Sequence, residues 1–556
     1  MVEECSSLPV VTVYFERLKS MLNGEISREK LIDTIPYLGL DIEEEADEYL
    51  RIEYNPNRPD FSTDYGLARA LNSFLEFHQS WDDYKVSHSG VVVNVDNSVA
   101  KVRPYLVASL ISGVDLDEES IRQVISMQED IHNGIGRRRR KVSLGIHNFE
   151  VLKPPIDYLA LESDFSFTPL HGTEEKSISE ILAQTEVGQE YAHILSGSEL
   201  YPILRDAGGT VLSFPPIING DATKLTGVTR SLFIEVTATD LNAAQNALSV
   251  MVTTLADAGG KISDVTVNYR DKNKNLVTPD LRPQSFVVNL DYANSLLGLE
   301  LDAKQVIECL RRSRIPATSE GDRRILAWVP RYRFDLLHEV DLVEEIAIGY
   351  GVNNIKPTFP EGAVSGARER SQIVIGKLKD SLSGLGLIEV LTFSLVGREM
   401  LSNANLDNID SMLRVTDAKT AEHEILRKSL LPSMLAVLSR NIHKEYPQKV
   451  FEISTVFSRE GDHVKEKQHM VVALAHTSAN FTEVTSHFVS VLSQTLNVRC
   501  QVRADKHPSF SEGRTGGVFN KGKKIGYVGE VLPKVSENFG LRVPVAAFEI
   551  DLEPFL

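Results

Sequence analysis

Two runs of sequence decide the fold class: Val211-Leu-Ser-Phe-Pro-Pro-Ile-Ile-Asn-Gly220 and Leu232-Phe-Ile-Glu-Val-Thr-Ala-Thr-Asp240. Each is rich in β-branched and aromatic residues and is broken by Pro, Gly or Asp, which is typical of short strands. Similar runs recur from about residue 91 to residue 267, with helical stretches between them. This mixture predicts a large α+β domain in the middle of the chain.

The flanking sequence predicts further domains, so the 556 residues form a multidomain α+β protein. A strand and two helices open the chain, a small helix-containing domain follows the large one, and an antiparallel sheet faced by helices closes it. We place a small N-terminal α/β domain at 1–85, the large α+β domain at 86–270, the small domain at 271–356 and the C-terminal domain at 357–556.

Three local expectations follow from turn and helix signals. We expect Ser62 to cap the helix that carries Leu67 and Leu71 at helical spacing. Residues 426–441 are predicted to form one helix, and the polar stretch 271–275 is predicted to be a linker.

The charge of the chain restricts how it can meet nucleic acid. Lys plus Arg number 59 and Asp plus Glu number 77, so the formal net charge is −18. The hydrophobic share of 42% and the charged share of 24% are ordinary for a globular protein and exclude bulk disorder. A polyanion is repelled at long range, so contact with RNA requires a local basic patch or a partner chain.

The cysteines and the absence of long apolar runs predict a cytoplasmic protein. Cys5, Cys309 and Cys500 are an odd number of widely spaced thiols, which suits a reducing compartment. No run of 18 apolar residues is present, and the start of the chain is acidic where a signal peptide is basic. We therefore expect no membrane or export role.

A cluster of acidic residues is the strongest candidate for a metal site. Asp341, Glu344 and Glu345 share one face of a predicted helix, and Asp335 precedes that helix closely enough to join them. Clustered carboxylates repel one another unless a cation binds, and oxygen ligands favour Mg²⁺ over zinc. The alternative is a solvated acidic first turn that complements the helix dipole.

Two other groups of residues are candidates for binding. Glu235 and Thr237 alternate along a strand, so both point to one face and can form the wall of a polar pocket, although an ordinary half-exposed strand has the same pattern. Residues 137–141, four arginines and a lysine, form either a loop that contacts phosphate or a solvated surface.

Other functional motifs are absent from the sequence. His132, His147 and His171 lack metal-ligand spacing, so we interpret them as ordinary histidines. There is also no phosphate-binding P-loop, no nucleophile elbow and no dinucleotide fingerprint.

Several stretches, in this order along the chain, resemble one family, the archaeal and eukaryotic β subunits of phenylalanyl-tRNA synthetase. The length also suits these β subunits, which are shorter than the bacterial ones. The matching stretches are Tyr54-Asn-Pro-Asn-Arg-Pro-Asp-Phe-Ser62, Gly66-Leu-Ala-Arg-Ala70, Pro215-Pro-Ile-Ile-Asn219, Phe233-Ile-Glu-Val-Thr237, Pro330-Arg-Tyr-Arg-Phe-Asp335, Leu426-Arg-Lys-Ser-Leu-Leu-Pro432, Phe451-Glu-Ile-Ser454, His507-Pro508 and Gly526-Tyr-Val-Gly-Glu530.

The resemblance implies an α₂β₂ enzyme that uses ATP at its α subunit to join phenylalanine to tRNA(Phe). It implies a C-terminal module similar to class II synthetases, but the G-x-G-x-x-R stretch that supplies their ATP-binding arginine is missing. Arg427 falls near the position of a nucleotide-binding arginine, but it looks like part of a helix start. The family's Mg²⁺ site, shared with the α subunit, maps onto Asp335, Asp341, Glu344 and Glu345. Its implied role is to stabilise the subunit contact.

The resemblance also implies that the large domain is an editing domain, which hydrolyses tyrosine wrongly attached to tRNA(Phe). Such a site needs a group that pairs with the phenol, since phenylalanine would leave that group unsatisfied. Glu235 is the expected acceptor, with Thr237 beside it and Leu204 and Ser213 as pocket neighbours. No strong nucleophile stands out, so we expect a bound water and the hydroxyl of the tRNA to act.

Two other functions are compatible with the same residues. An independent metal-dependent hydrolase would use the carboxylate cluster, but it requires an enclosed pocket and a general base near the ion. A non-catalytic assembly scaffold would have an inactive editing site.

Overall fold

The computed structural model describes residues 8–77, 84–270, 274–359, 362, 365–406 and 408–556. The chain divides into two compact units, Met1–Phe359 and Pro360–Leu556. Within the described ranges, no helix is both long enough and apolar enough to cross a membrane. Cys309 and Cys500 are free thiols, whereas Cys5 and the acidic start of the chain lie outside the described residues.

The N-terminal part of the first unit is a three-stranded antiparallel sheet with three helices, in the order β1-β3-β2. Its core contains Leu18 and Leu31 from the helices and Leu50 and Ile52 from the central strand. The elements are β1 (Val10–Tyr14), α1 (Phe15–Ser20), α2 (Arg28–Thr34), β2 (Asp41–Glu45), β3 (Tyr49–Glu53) and α3 (Asp64–Phe74).

The large domain is built on a ten-stranded sheet, which agrees with the predicted α+β class. Nine strands follow the order β12-β11-β10-β7-β4-β14-β5-β13-β6, and β15 pairs with β14. The elements are β4 (Val86–Val95), β5 (Tyr105–Ser112), α4 (Glu118–Asn133), β6 (Val142–Asn148), β7 (Ile156–Leu161), β8 (Ser166–Phe167), β9 (Lys176–Ser177), α5 (Ile178–Gln184), α6 (Glu186–Tyr191), β10 (Tyr201–Asp206), β11 (Val211–Phe214), β12 (Ile218–Asn219), β13 (Ser231–Ala238), α7 (Leu241–Asp257), β14 (Lys261–Tyr269) and β15 (Lys274–Thr278).

Alternation along β13 gives the large sheet two different faces. Ile234 and Val236 pack against α4 and α7 in one apolar cluster. Phe233 belongs to a second cluster on the other face, so its in-phase neighbours Glu235 and Thr237 project from that face as well. The sheet therefore buries an acidic side chain among apolar ones.

A small domain completes the first unit. Its three-stranded antiparallel sheet has the order β16-β18-β17, and its three helices pack around Val306, Leu310 and Ile346. The elements are β16 (Gln284–Asn289), α8 (Leu290–Leu297), α9 (Ala303–Arg312), β17 (Ala317–Ser319), β18 (Arg324–Val329) and α10 (Glu339–Tyr350).

The second unit is a seven-stranded sheet in the order β19-β22-β23-β27-β26-β25-β24, antiparallel except for β19 beside β22. Along β23, Val472 packs with α11 and α14, and the adjacent Val471 packs with α13, so helices cover both faces. The elements are α11 (Arg370–Gly384), β19 (Ile388–Glu389), β20 (Leu395–Val396), α12 (Arg398–Asn403), β21 (Ile425–Leu426), α13 (Leu431–Arg440), β22 (Gln448–Glu460), β23 (His463–Ala475), α14 (Phe481–Leu496), β24 (Gln501–Ala504), β25 (Phe510–Asn520), β26 (Lys523–Val531), α15 (Pro533–Asn538) and β27 (Val545–Asp551).

Two local expectations were wrong, and a third lies mostly outside the described residues. Thr63, not Ser62, caps α3, because the Thr63 hydroxyl accepts the Gly66 N–H while Ser62 donates to a carbonyl. Helix α13 begins at Leu431, since Ile425–Leu426 pairs with β20 as a strand. Residues 271–273 of the expected linker lie outside the described residues, and Lys274–Thr278 continues the large sheet past the predicted boundary at 270.

Candidate functional site

The large domain contains a cavity of about 520 Å³ between α4, β6 and the loop that follows β11. Its wall is mainly apolar and includes Val124, Ile146, Ile217 and Leu232. This volume lies in the range of small-molecule sites, roughly 300–1,000 Å³, and an apolar wall with a few polar groups is typical of such sites.

Glu235 is the acidic group of this cavity. It lies on β13, where its register partner is Gly145 on β6, and it is only 2% exposed. Its Oε1 accepts the Ser213 hydroxyl at 2.9 Å, while its Oε2 is buried without a hydrogen-bond partner in the part of the chain that the structure describes. An unsatisfied carboxylate oxygen is costly in an apolar site, so it favours a ligand that donates a hydrogen bond.

Gly145 provides the space in which the polar side chains meet. A Cβ added here would lie 2.7 Å from Glu235 Oε1, 2.7 Å from His147 Nε2 and 3.3 Å from Asn219 Oδ1. These three side chains come from three strands of the sheet, β13, β6 and β12. The missing side chain at position 145 therefore leaves a small polar niche next to the apolar cavity.

The four residues predicted for the editing pocket do not all reach the cavity. Glu235 and Ser213 line it together. Thr237 instead accepts a hydrogen bond from Arg103 Nε at 2.9 Å, outside the cavity wall. Leu204, the register partner of Ser213, is buried in the apolar cluster behind the strands.

His147 was missed by the sequence analysis, which interpreted it as an ordinary histidine. It is fully buried, its Nδ1 lies 2.9 Å from Thr223 Oγ1, and its Nε2 lies 3.9 Å from Glu235 Oε1. The Nε2 has no hydrogen-bond partner among the residues described. A signal was present in the alternation of β6, where Gly145 and His147 share one face and Leu144 and Ile146 belong to the apolar core on the other.

The predicted basic run forms a tight turn after α4. Arg137, Arg138 and Arg139 have φ values of 50°, 53° and 62°, a left-handed conformation that is uncommon for residues other than Gly. Arg139 lines the cavity, where it donates to the Ile217 carbonyl at 3.0 Å and to Glu129 at 3.0 Å. The turn therefore directs one arginine inward, while Arg137 and Arg138 remain exposed.

The predicted metal ligands do not surround a common centre. Arg333 is buried and binds both Asp335, with Nε–Oδ1 at 2.9 Å, and Glu345. Asp341 Oδ2 accepts two backbone N–H groups at the start of α10, and Glu344 is exposed. In the described ranges, no three His, Cys, Asp or Glu side chains are arranged to hold a metal ion. This geometry does not fit a magnesium site formed by the four carboxylates.

Arg333 is part of a larger buried charge network. Arg58 binds Asp60 with two contacts of 2.9 Å, and Arg69 lies 3.5 Å from Asp60 and 2.7 Å from Asp257. Burial raises the pKa of Asp60, but the guanidinium groups of Arg58, Arg69 and Arg333 outweigh it and hold the pKa at about 2. Arginine and aspartate side chains of this network therefore link the N-terminal part, helix α7 and the small domain.

Arg427 is engaged by the second unit itself. Its side chain is 1% exposed and lies 3.1 Å from Glu452, whose side chain is fully buried. It also donates to Thr392 Oγ1 and Ser454 Oγ, both at 2.6 Å, and to the Thr455 carbonyl at 3.1 Å. The guanidinium is thus a structural group within the sheet rather than part of a helix start.

Comparisons with known proteins cover the whole chain. Residues 286–352 match the tRNA synthetase B5 domain, and residues 355–552 match the phenylalanyl tRNA synthetase beta chain CLM domain. Proteins named phenylalanine–tRNA ligase beta subunit are 36% identical over 548 residues in Methanococcoides burtonii (98% of this chain, 100% of that protein) and 37% identical over 551 residues in Archaeoglobus fulgidus (99% of each). The crystal structure of an N-terminal fragment of the phenylalanyl-tRNA synthetase β subunit from Pyrococcus horikoshii is 38% identical, with a TM-score of 0.59, and covers 62% of this chain and 99% of the fragment. The chain therefore belongs to the family of phenylalanine–tRNA ligase β subunits.

Proposed function

We propose that this chain supports the ATP-dependent attachment of phenylalanine to tRNA(Phe) by an α subunit and hydrolyses tyrosyl-tRNA(Phe) in its large domain. The observation that carries the editing proposal is the buried Glu235 carboxylate, whose Oε2 lacks a partner beside an apolar cavity. A tyrosine phenol can donate to this carboxylate. A phenylalanine ring cannot, and it would leave the carboxylate desolvated and unsatisfied.

The polar niche at Gly145 supplies further groups for holding the phenol. His147 Nε2 and Asn219 Oδ1 approach the same space as Glu235 Oε1. Imidazole and amide groups can exchange hydrogen bonds with a phenol, and fixing the ring positions the ester, at the other end of the amino acid, for attack by water. In this proposal the water attacks the ester carbonyl, the bond to the ribose oxygen breaks, and that oxygen takes up the proton.

The proposed α partner supplies the class II aminoacylation centre in an α₂β₂ assembly. Arg427 is buried against Glu452 and cannot grip ATP without leaving that pair. Exposed apolar side chains near β19 support a partner surface: Ile388 is 67% exposed, Leu391 79% and Phe393 76%. We therefore assign ATP to the α subunit and assembly plus editing to this chain.

Magnesium takes no part in the hydrolysis that we propose. In the described geometry Asp335 and Glu345 are neutralised by Arg333, so they would have to leave this arginine before they could bind a cation. A shared site with the α subunit therefore remains a prediction, and Glu344, which is exposed, is the residue of the four best placed to test it.

The decisive experiment uses the chain assembled with its α subunit. Glu235→Gln keeps the shape of the side chain but removes its charge, so tyrosyl-tRNA hydrolysis should fall by about 10- to 100-fold, the value of a charge-assisted hydrogen bond of about 1.5–3 kcal/mol. The preference for the tyrosyl over the phenylalanyl ester should fall with it, while aminoacylation stays normal.

Glu162→Gln is the matched control, because Glu162 is an exposed glutamate of the same domain. It should leave both hydrolysis and aminoacylation unchanged. Equal tyrosyl-tRNA hydrolysis by the Glu235→Gln and Glu162→Gln enzymes would exclude Glu235 from the site. Absence of hydrolysis by the unsubstituted enzyme would favour a non-catalytic scaffold.

A further inference from the structure

A second cavity, of about 310 Å³, lies in the large domain on the other side of the basic turn. Its lining includes three residues with basic side chains, Arg103, Arg140 and His193, together with Thr239. Arg103 lies beneath the opening and is buried, whereas Arg140 and His193 are exposed. The cavity therefore has a cationic floor and a basic rim.

Arg103 is unusual because no carboxylate is in direct contact with its charge. It is 2% exposed, no Asp or Glu oxygen of the described chain lies within ion-pair distance of it, and the buried carboxylate of Glu235 acts on it only from farther away. All its hydrogen bonds go to neutral acceptors: the Thr237 hydroxyl at 2.9 Å, the Thr237 carbonyl at 2.8 Å and the Arg140 carbonyl at 3.2 Å. Burial lowers its pKa to about 10, so it is still charged at neutral pH. A buried cation whose direct partners are all neutral favours an anionic ligand.

The groups at the rim can complete such a site. In the part of the chain that the structure describes, the Arg140 side chain makes no hydrogen bond and no ion pair, so it is available to a ligand. His193 Nδ1 donates to the Glu190 carbonyl at 2.9 Å, so the opposite ring nitrogen donates to an anion when the ring is protonated. Asp240, which follows the lining residue Thr239 in sequence, is paired with Lys141 at 3.1 Å and caps α7. Three basic side chains therefore line this cavity, although the chain as a whole is acidic.

The position of this cavity relative to Glu235 suggests the source of the anion. Arg103 is bound to Thr237, which lies two residues beyond Glu235 on β13, about 7 Å along the strand. Arg139 lines the first cavity and Arg140 the second, so consecutive residues link them. A tyrosyl-tRNA that places its phenol at Glu235 would have a backbone phosphate within reach of Arg103.

We propose that Arg103, Arg140 and His193 form a binding site for a backbone phosphate of RNA, which holds the 3′ end of the substrate over the Glu235 cavity. The source of the phosphate rests on the proposed editing function, whereas the anion site rests on its own residues. Arginine is well suited to this role, since its planar guanidinium gives two hydrogen bonds to one phosphate.

The test compares two neighbouring arginines in the full-length chain. The probe is an RNA hairpin that carries no amino acid, mimics the tRNA acceptor stem and ends in CCA. Binding is measured by fluorescence anisotropy at several salt concentrations. Arg140→Ala should weaken binding about tenfold and lower the salt slope by about one, and His193→Ala should weaken it by a smaller factor. Arg137→Ala is the control, because Arg137 belongs to the same turn but lies outside the cavity lining. Equal losses for Arg140→Ala and Arg137→Ala would overturn the proposal.

Inorganic phosphate distinguishes the source of the anion. If Arg140→Ala abolishes the binding of inorganic phosphate, measured by calorimetry, but leaves RNA affinity unchanged, the site binds free phosphate and the assignment to RNA is wrong. Tyrosyl-tRNA hydrolysis by the assembled enzyme separates this proposal from the previous one. Normal hydrolysis by Glu235→Gln with weakened RNA binding by Arg140→Ala would refute editing at Glu235 and support the phosphate site. Weakened hydrolysis by Glu235→Gln with normal RNA binding by Arg140→Ala would refute the phosphate site and leave editing at Glu235 supported.

Discussion

Replacing Arg427 by Met should destabilise the second unit strongly. The change removes the cation that faces the fully buried Glu452 at 3.1 Å, together with the bonds to Thr392 and Ser454. Loss of one partner of a buried ion pair costs about 3–5 kcal/mol, because the remaining charge stays desolvated. Among the residues that the structure describes, Glu452 keeps its two hydrogen bonds with Thr392, the shorter of which is 2.7 Å, so we expect the free energy of unfolding to fall by an amount within this range.

Amide hydrogen exchange read by mass spectrometry is the appropriate assay, since a chain of several domains has no single free energy of unfolding. A cost of 3–5 kcal/mol corresponds to exchange more than about a hundredfold faster in β22, at about 1.4 kcal/mol for each factor of ten. Arg440→Met is the matched control, because Arg440 is an exposed arginine of the same unit. A double change, Arg427→Met with Glu452→Gln, should cost less than the sum of the single changes.

Similar exchange rates in β22 for Arg427→Met and Arg440→Met would refute this reasoning. They would mean that Arg427 contributes little to the sheet and is free for another role, such as nucleotide binding. ATP binding by the isolated chain, measured by calorimetry with both variants, would then show whether Arg427 has that role.

Three other changes test the remaining features. Gly145→Ala should reduce tyrosyl-tRNA hydrolysis at least tenfold, because its Cβ would lie 2.7 Å from both Glu235 Oε1 and His147 Nε2. Normal hydrolysis by the assembled variant would show that the niche at Gly145 is not part of the editing site. Asp60 has a pKa lowered from 3.8 to about 2, so it contributes about 2 kcal/mol to the free energy of unfolding above pH 4, and this contribution is lost as the pH falls towards 2. Arg58→Gln should therefore move the midpoint of acid unfolding, followed by circular dichroism, to higher pH. An unmoved midpoint would contradict this prediction. Glu344→Ala should weaken Mg²⁺-dependent assembly with the α subunit without unfolding the chain, and native mass spectrometry that finds equal assembly with and without Mg²⁺ would rule out the predicted shared site.

Much of the fold could be predicted because local patterns agree with the tertiary structure. Helix α14 lies at Phe481–Leu496, where the apolar spacing, the Asn480 cap and the end at Asn497 are all local signals. The start of α13 was placed five residues too early. Ile425–Leu426 pairs with β20, a contact across 30 residues that helix propensity does not contain.

The candidate site divides in the same way. Glu235 could be found because an acidic residue in an apolar strand is conspicuous in sequence. The approach of His147 to it depends on the pairing of β6 with β13, two strands 88 positions apart at these residues, which no local pattern shows. The carboxylates near α10 have the right spacing to share a face, yet the sequence does not reveal that Arg333 folds back between Asp335 and Glu345.

The buried contacts of Arg69 have a practical consequence for dissecting this protein. Its guanidinium stacks on Tyr332 with 4.1 Å to the ring centre, and it reaches Asp257 on α7, which also accepts the Tyr84 hydroxyl at 2.9 Å. A truncation between residues 85 and 86 would therefore remove both groups that donate a hydrogen bond to Asp257. Fragments intended for crystallography or binding studies should retain the first 359 residues together, because a cut at this point would break the ion pair of Arg69 with Asp257 and expose the surface around it.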